Sequence, residues 1–265
     1  MLGINLAGYT SLADSAFDGA SLAKQADFLS VPAYDFHGSW ERVTGHTAPL
    51  NEVQTSMKYW TDRGIPAQKL ILGIPYYGQS FTLAKAAASA DQAAIGVRAR
   101  GAGNPGVDTQ QAGMLAYYEI CSLGNSIQID EFSLHSVFIN YLFCGTSVQD
   151  KMWTAVSNSA PYAYYANQWV GYDNVQSVRS KAELIVSQSY GGAMIWAIDM
   201  DDFNNLCCLE AFPLTRAIAR TLGLRNDQQP TTSNCQRPNA PVTPPPITLT
   251  TGYDSGIVLI EFNPN

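Results

Sequence analysis

Basic charge is what this sequence lacks most plainly. Of 265 residues, 15 are Lys or Arg against 22 Asp or Glu, so the net charge is −7. Such a chain repels a phosphate backbone, and no nucleic acid is expected as a partner. Long apolar runs are missing too. The longest, around Val137 to Cys144, is far short of the ~20 residues a bilayer span needs, so no membrane partner is expected. The opening MLGINLAGYTSL has no basic stretch ahead of an apolar one and does not read as a signal peptide, and no N-x-S/T sequon occurs. The five cysteines, Cys121, Cys144, Cys207, Cys208 and Cys235, show no paired spacing of a zinc site. An odd count is compatible with one disulfide plus free thiols. There is no Gly-rich phosphate loop and no nucleophile elbow, and the three histidines are scattered. Neither a cofactor nor a metal is expected.

What is present suffices for a core, with 46% hydrophobic residues. Seven of the fourteen prolines lie after residue 226, so 226–265 reads as a Pro/Thr-rich linker or disordered tail. Its apolar end, GIVLIEF, reads as a strand of something absent or an exposed sticky segment. Ahead of it, FLSVPAY (28–34), KLILGIPYY (69–77) and GGAMIWAID (191–199) are short apolar runs bounded by Gly or Pro, which suits strands buried on both faces. Helical spacing separates them. Val53, Met57 and Trp60 share a face that ends at Gly64 and Pro66. Val178, Ala182 and Ile185 repeat the spacing, with Ser177 as N-cap, and Leu214, Ile218 and Leu222 follow Pro213. Strand, helix, strand, helix predicts an α/β fold with parallel strands. Residues 79–173, with the loop-like GAGNPG and many aromatics, predict an inserted subdomain.

The predicted strand ends carry the chemistry. AYDFHGSWE (33–41) brings Tyr34, Asp35, His37, Trp40 and Glu41; IPYYGQSF (74–81) brings Tyr76 and Tyr77; WAIDMDDF (196–203) brings Trp196, Asp199, Asp201 and Asp202. In a barrel, that end of the strands is where sites are built. Aromatics beside carboxylates suit a sugar, whose C–H faces stack on rings while carboxylates bind hydroxyls and move protons. A plainer reading makes Asp35 a turn cap and Trp40 a core residue. The D-x-D-D run offers oxygens to Ca²⁺ but matches no defined loop, and helix capping and solvated charge is its expected role.

These segments together resemble the family 18 glycoside hydrolases, animal chitinases and chitinase-like lectins. AYDFHGSWE, TGHTAPL, KYWTDRGIPAQKLILGIPYYGQSFTL, TQQAGMLAYYEIC, NQWVGYD and GGAMIWAIDMDDF match in order over about residues 15–223, apart from 122–150. The resemblance implies a (β/α)₈ TIM barrel with an α+β insertion subdomain after the seventh strand. Only the C-terminal strands, about six to eight, would be present at 28–34, 69–75 and 193–198, with a remnant of strand five in the first few residues. On that reading 1–225 is a partial chitinase-type barrel, 79–173 its insertion and 122–150 an atypical segment. A barrel takes about 250 residues, so none are left for its N-terminal half.

The resemblance also implies roles. Tyr34 would hydrogen-bond the reacting N-acetyl oxygen, and Asp35 would contact the −1 sugar. Trp196 would floor that sugar, Met194 would line the same pocket, and Trp40 would be a platform toward the leaving-group side. Tyr77 and Glu119 would wall the groove, and Cys121 would pair with Cys208 or Cys207. Chitin or N-acetylglucosamine oligosaccharides are the implied partners, and an extracellular location is implied too. Hydrolysis in this family is substrate-assisted and needs the Glu that ends a D-x-x-D-x-D-x-E motif. That motif is absent here, so the chain is expected to be inactive as written. A non-catalytic chitin-binding lectin is the alternative. Two further departures are Pro32-Ala33 in place of the family's M-x before Tyr34-Asp35, and Gln79 where the family has Arg.

Overall fold

A strand that is apolar at every position needs cover on both faces, and LILGIP finds it: all six residues from Leu70 to Pro75 are buried. The computed structural model of the chain describes residues 2–9, 13, 16–123, 154–156, 160–207, 210–228 and 258–261. In chain order its elements are β1 (Gly3–Asn5), α1 (Gly19–Gln25), β2 (Phe28–Val31), α2 (Leu50–Asp62), β3 (Leu70–Pro75), β4 (Tyr77–Leu83), β5 (Ala99–Ala102) and β6 (Met114–Ala116). There follow α3 (Tyr117–Leu123), β7 (Thr154–Val156), β8 (Tyr162–Tyr165), β9 (Gln168–Gly171), α4 (Val175–Ser187), β10 (Gly192–Trp196), α5 (Pro213–Thr221) and β11 (Val258–Glu261).

One sheet has the order β1-β2-β3-β10-β11, with the first four strands parallel and β11 antiparallel to β10. GIVLIEF thus contributes a strand that pairs within this chain. Most of the run 226–265, and 122–150 beyond Leu123, fall outside the described residues, as do Cys144, Cys208 and Cys235. The strand expected over 28–34 stops at Val31, because Pro32 has no N–H to continue a ladder. The chain then turns tightly, Ala33 N donating to Val31 O and Tyr34 N to Pro32 O.

Helices cover the sheet through the spacings read above. Val53, Met57 and Trp60 of α2 are at most 1% exposed, and the Trp60 indole N–H donates to Ala7 O at 3.0 Å. Helix α4 packs on α2, α5, β3 and β10. Its N-cap is Asn174 and not Ser177. Asn174 Oδ1 accepts from Ser177 N, and Ser177 Oγ accepts from Asn174 N, so Ser177 is the third residue of a reciprocal capping box. Helix α5 begins at Pro213 and is capped remotely by Asp201, whose carboxylate accepts from Leu214 N, Thr215 N and Thr215 Oγ1.

Six strands between Tyr77 and Gly171 form a second sheet, β5-β4-β9-β8-β7 with β6 also on β4, all antiparallel. Phe81, Leu83, Ala93, Tyr162, Tyr164 and Trp169 make its own small core. Trp169 stacks on Tyr162 at 5.3 Å and donates to Ala93 O at 2.8 Å. Strand β4 leaves β3 after a single residue, so this sheet starts directly beside the ends of the parallel strands.

Candidate functional site

Because β2, β3 and β10 are parallel, their C-terminal ends open on one side. Asp35 follows β2 with a left-handed backbone (φ 57°), which Asp tolerates better than most residues. Its Oδ1 accepts from Gln79 Nε2 at 2.8 Å and from Thr47 Oγ1 at 3.3 Å. Tyr77 also hydrogen-bonds this carboxylate, and its burial, then the Asp35 charge, push the phenol well above its ordinary range. Burial and the same charge push Tyr34 up to about 12. Both phenols therefore stay protonated near neutrality and serve as donors. Their rings meet edge to face at 6.2 Å.

The Tyr34 ring has room because Gly73 faces it. A Cβ on Gly73 would stand 3.0 Å from the ring and 2.7 Å from Val31 O. Met194 lies opposite Gly73 in the β3–β10 register, and Trp196 lies opposite Pro75. The pleat puts Met194 and Trp196 on one face. Met194 is buried, whereas Trp196, at the strand end, is 42% exposed. Trp40 is 60% exposed, a surface ring and not part of the core, on a turn closed by Glu41 N donating to Gly38 O. Tyr76 points the other way and is 1% exposed in the main core.

Glu119 is placed differently from the rest. Its carboxylate is buried and accepts from Asp108 N, Thr109 N, Thr109 Oγ1 and Ala116 N. Burial alone would raise it, but the bonds from Thr109, Ala116 and Asp108 hold it below the usual carboxylate range. It ties the loop before β6 together.

Beside Asp35 stands a charged group that the sequence only hinted at. His37 bridges Glu41 at 2.9 Å and Glu52 of α2 at 3.1 Å. Burial lowers its basicity, but the two glutamates outweigh this and raise it. Tyr9, after β1, is raised to about 12 by burial and by Asp35, Glu41 and Glu52 in turn, and its ring meets Phe36 at 5.6 Å. Tyr9 and Thr47 were not singled out from the sequence. For Tyr9 the available signal was its place after a short strand, like Tyr34; for Thr47 there was none.

Asp201 and Asp202 were read as capping and solvated charges. They do cap, but both are fully buried, Asp202 accepting from Leu206 N and Cys207 N. The disulfide joins Cys121 to Cys207, with Cα atoms 5.4 Å apart. Asp202 and those two sulfurs form the one group among the described residues close enough to hold a metal, and sulfurs bonded to each other have no thiolate to give. Among the described residues no helix is long and apolar enough to cross a membrane.

The family model for glycosyl hydrolases family 18 matches residues 4–201. The chain belongs to family 18. Within it, the chain is 38% identical to Probable chitinase 10 of Drosophila melanogaster over 96% of this chain and 11% of that protein. It is also 38% identical to Chitinase-3-like protein 2 of Homo sapiens, over 79% of this chain and 50% of that protein. The chain thus spans half or less of these curated relatives. Among solved structures, catalytic domain 2 of the Ostrinia furnacalis Group II chitinase superposes with a TM-score of 0.71 at 28% identity, covering 87% of this chain and 56% of that one. Human YKL-39, described as a pseudo-chitinase with retained chitooligosaccharide binding, gives 0.68 at 36% identity, covering 84% and 58%. These family 18 neighbours are TIM-barrel proteins, and the α/β layering here is of that kind.

Proposed function

We propose that this chain is the part of a family 18 protein that binds chitin chains or N-acetylglucosamine oligosaccharides, at the ends of β2, β3 and β10. The observation that carries this reading is the Asp35 carboxylate, held by Gln79, Thr47 and Tyr77 beside Tyr34 and close in the fold to the exposed Trp196. A pyranose stacks on Trp196, Tyr34 donates to the N-acetyl carbonyl, and Asp35 accepts from the sugar. Trp40 extends the platform, Met194 backs it and Tyr77 walls it; Glu119 holds the loop before β6 and does not meet the sugar. Human YKL-39 supports binding without hydrolysis, being named a pseudo-chitinase that retains it.

On this reading β1, β2, β3 and β10 correspond to the last four strands of the barrel. Hydrolysis draws its acid from a D-x-x-D-x-D-x-E motif that none of these 265 residues supplies. General acid assistance of ~10²–10⁴-fold then depends on that Glu, while Tyr34 and Asp35 assist the substrate's own acetamido group. The setting is extracellular, in keeping with the disulfide.

Retention on chitin beads tests the binding. The chain is expected to be held and eluted by N-acetylglucosamine tetramer, and Trp196→Ala is expected to pass through. Equal retention of the two, or none of either, counts against the proposal.

A further inference from the structure

Trp40 combines two properties that seldom coexist. Its ring is 60% exposed, yet it occupies a defined seat. A Cβ built on Gly38 would lie 2.2 Å from Cη2 and Cζ3 of Trp40 and 2.7 Å from Cε3. The six-membered ring therefore lies against the bare backbone of Gly38, in space that any other residue would fill. Gly38 has no positive φ, so its backbone conformation is open to an L-residue. Its three nearest neighbours across that space are all Trp40 ring atoms.

The turn beneath the ring is itself tied down. Glu41 N donates to Gly38 O at 2.9 Å, the Glu41 carboxylate meets His37 Nδ1, and His37 Nε2 meets Glu52 on α2. On the other side of the loop the His37 side chain rests on Gly45, where a Cβ would be 2.4 Å from it. A surface Trp on a loop normally samples several rotamers, and a ligand that needs one of them must bear the cost of ordering it.

We infer that Gly38 is a positioning residue for sugar binding: its missing side chain is the seat that holds the Trp40 indole ready for a pyranose. Gly38 touches no ligand and acts through the ring alone. The inference rests on the reading of Trp40 as a platform, and a double-mutant cycle separates the two.

The full chain, Gly38→Ala, Trp40→Ala and the double variant are titrated with N-acetylglucosamine tetramer by calorimetry, and their thermal midpoints are measured. Trp40→Ala is expected to weaken binding about tenfold, and Gly38→Ala by a similar factor because its methyl evicts the ring. The double variant is expected to bind no more weakly than Trp40→Ala. The midpoint lost in Gly38→Ala is expected to return in the double variant, since the methyl then meets nothing. Should Gly38→Ala fail to fold, the double variant is still expected to fold. Wild-type affinity in Gly38→Ala alongside weak binding in Trp40→Ala overturns the inference, as does an additive loss in the double variant. If Trp40→Ala binds like wild type, the platform reading fails; a midpoint deficit of Gly38→Ala that persists without Trp40 overturns the seat.

Discussion

At Asp35 one carboxylate oxygen collects the Gln79 amide and the Thr47 hydroxyl, so the side chain is held in one orientation. Gln79→Leu removes the shorter of those bonds. Its expected effect is about a fivefold loss of affinity for the tetramer, at ~1 kcal/mol per hydrogen bond, with the thermal midpoint nearly unchanged. Calorimetry on the folded variant checks this, and unchanged affinity contradicts it. Glu119 predicts the opposite pattern. Glu119→Ala strands four donors around the loop before β6, of which the Ala116 N–H is buried, at about 2 kcal/mol in urea denaturation, and leaves sugar affinity intact. A variant of normal stability that had lost the sugar would instead put Glu119 on the groove. Tyr34, Asp35 and Trp196 were legible because each stands at or just past the end of an apolar strand. Thr47 was not, since it meets Asp35 from 12 residues away across a loop whose path no local pattern records.

The loop from Asp35 to Ala48 is joined to the residue after β9 by His46. Its Nε2–H donates to Tyr172 O at 2.8 Å and its Nδ1 accepts from Ala48 N at 3.0 Å, so the folded loop needs the neutral ring. Burial pushes His46 down to about 4. Unfolded, the ring takes a proton below about 6.5, so this group's stabilisation is full above that pH and is lost as pH falls toward 4. Between pH 7 and 4.5 the loss is about 2 kcal/mol. His37, raised by its glutamates, and Asp201, raised to about 6 by burial, act in the opposite sense over this range. The measurement is therefore the difference between the stability–pH profiles of wild type and His46→Gln, expected to widen on the alkaline side; parallel profiles contradict it. Elements with a single strong cause could be read in advance. β3 and β10 are unbroken apolar runs, and α2 keeps a three-and-four spacing. The second sheet could not, because β4 and β8 bury residues on both faces and give no alternation. The cap of α4 was misplaced because Asn174 and Ser177 each make good caps, and only the bond from Ser177 to Asp173 and the reciprocal pair decide between them.

Both sheets share one core: Leu115, Ala163 and Val170 of the second belong to the same buried cluster as Leu29, Leu72 and Ile195 of the first. The Cys121–Cys207 disulfide adds a covalent link across 86 residues, from α3 to the segment after β10. Reduction is expected to cost about 4.6 kcal/mol on a chain-entropy basis, read as a lower urea midpoint in a phosphine reductant; an unchanged midpoint contradicts that. The α/β class was evident from the order of runs, whereas the joint core was not, because it depends on contacts between segments far apart in sequence. Tyr34 packs against the joint core and so ties the face it shares with Asp35 and Trp196 to it. Locating an N-acetylglucosamine tetramer bound to the full chain, by crystallography, tests that face most directly. A sugar ring stacked on Trp196 with its acetamido group toward Tyr34 and Asp35 is the expected result. A tetramer seated elsewhere, or a face left empty at saturating sugar, would contradict it.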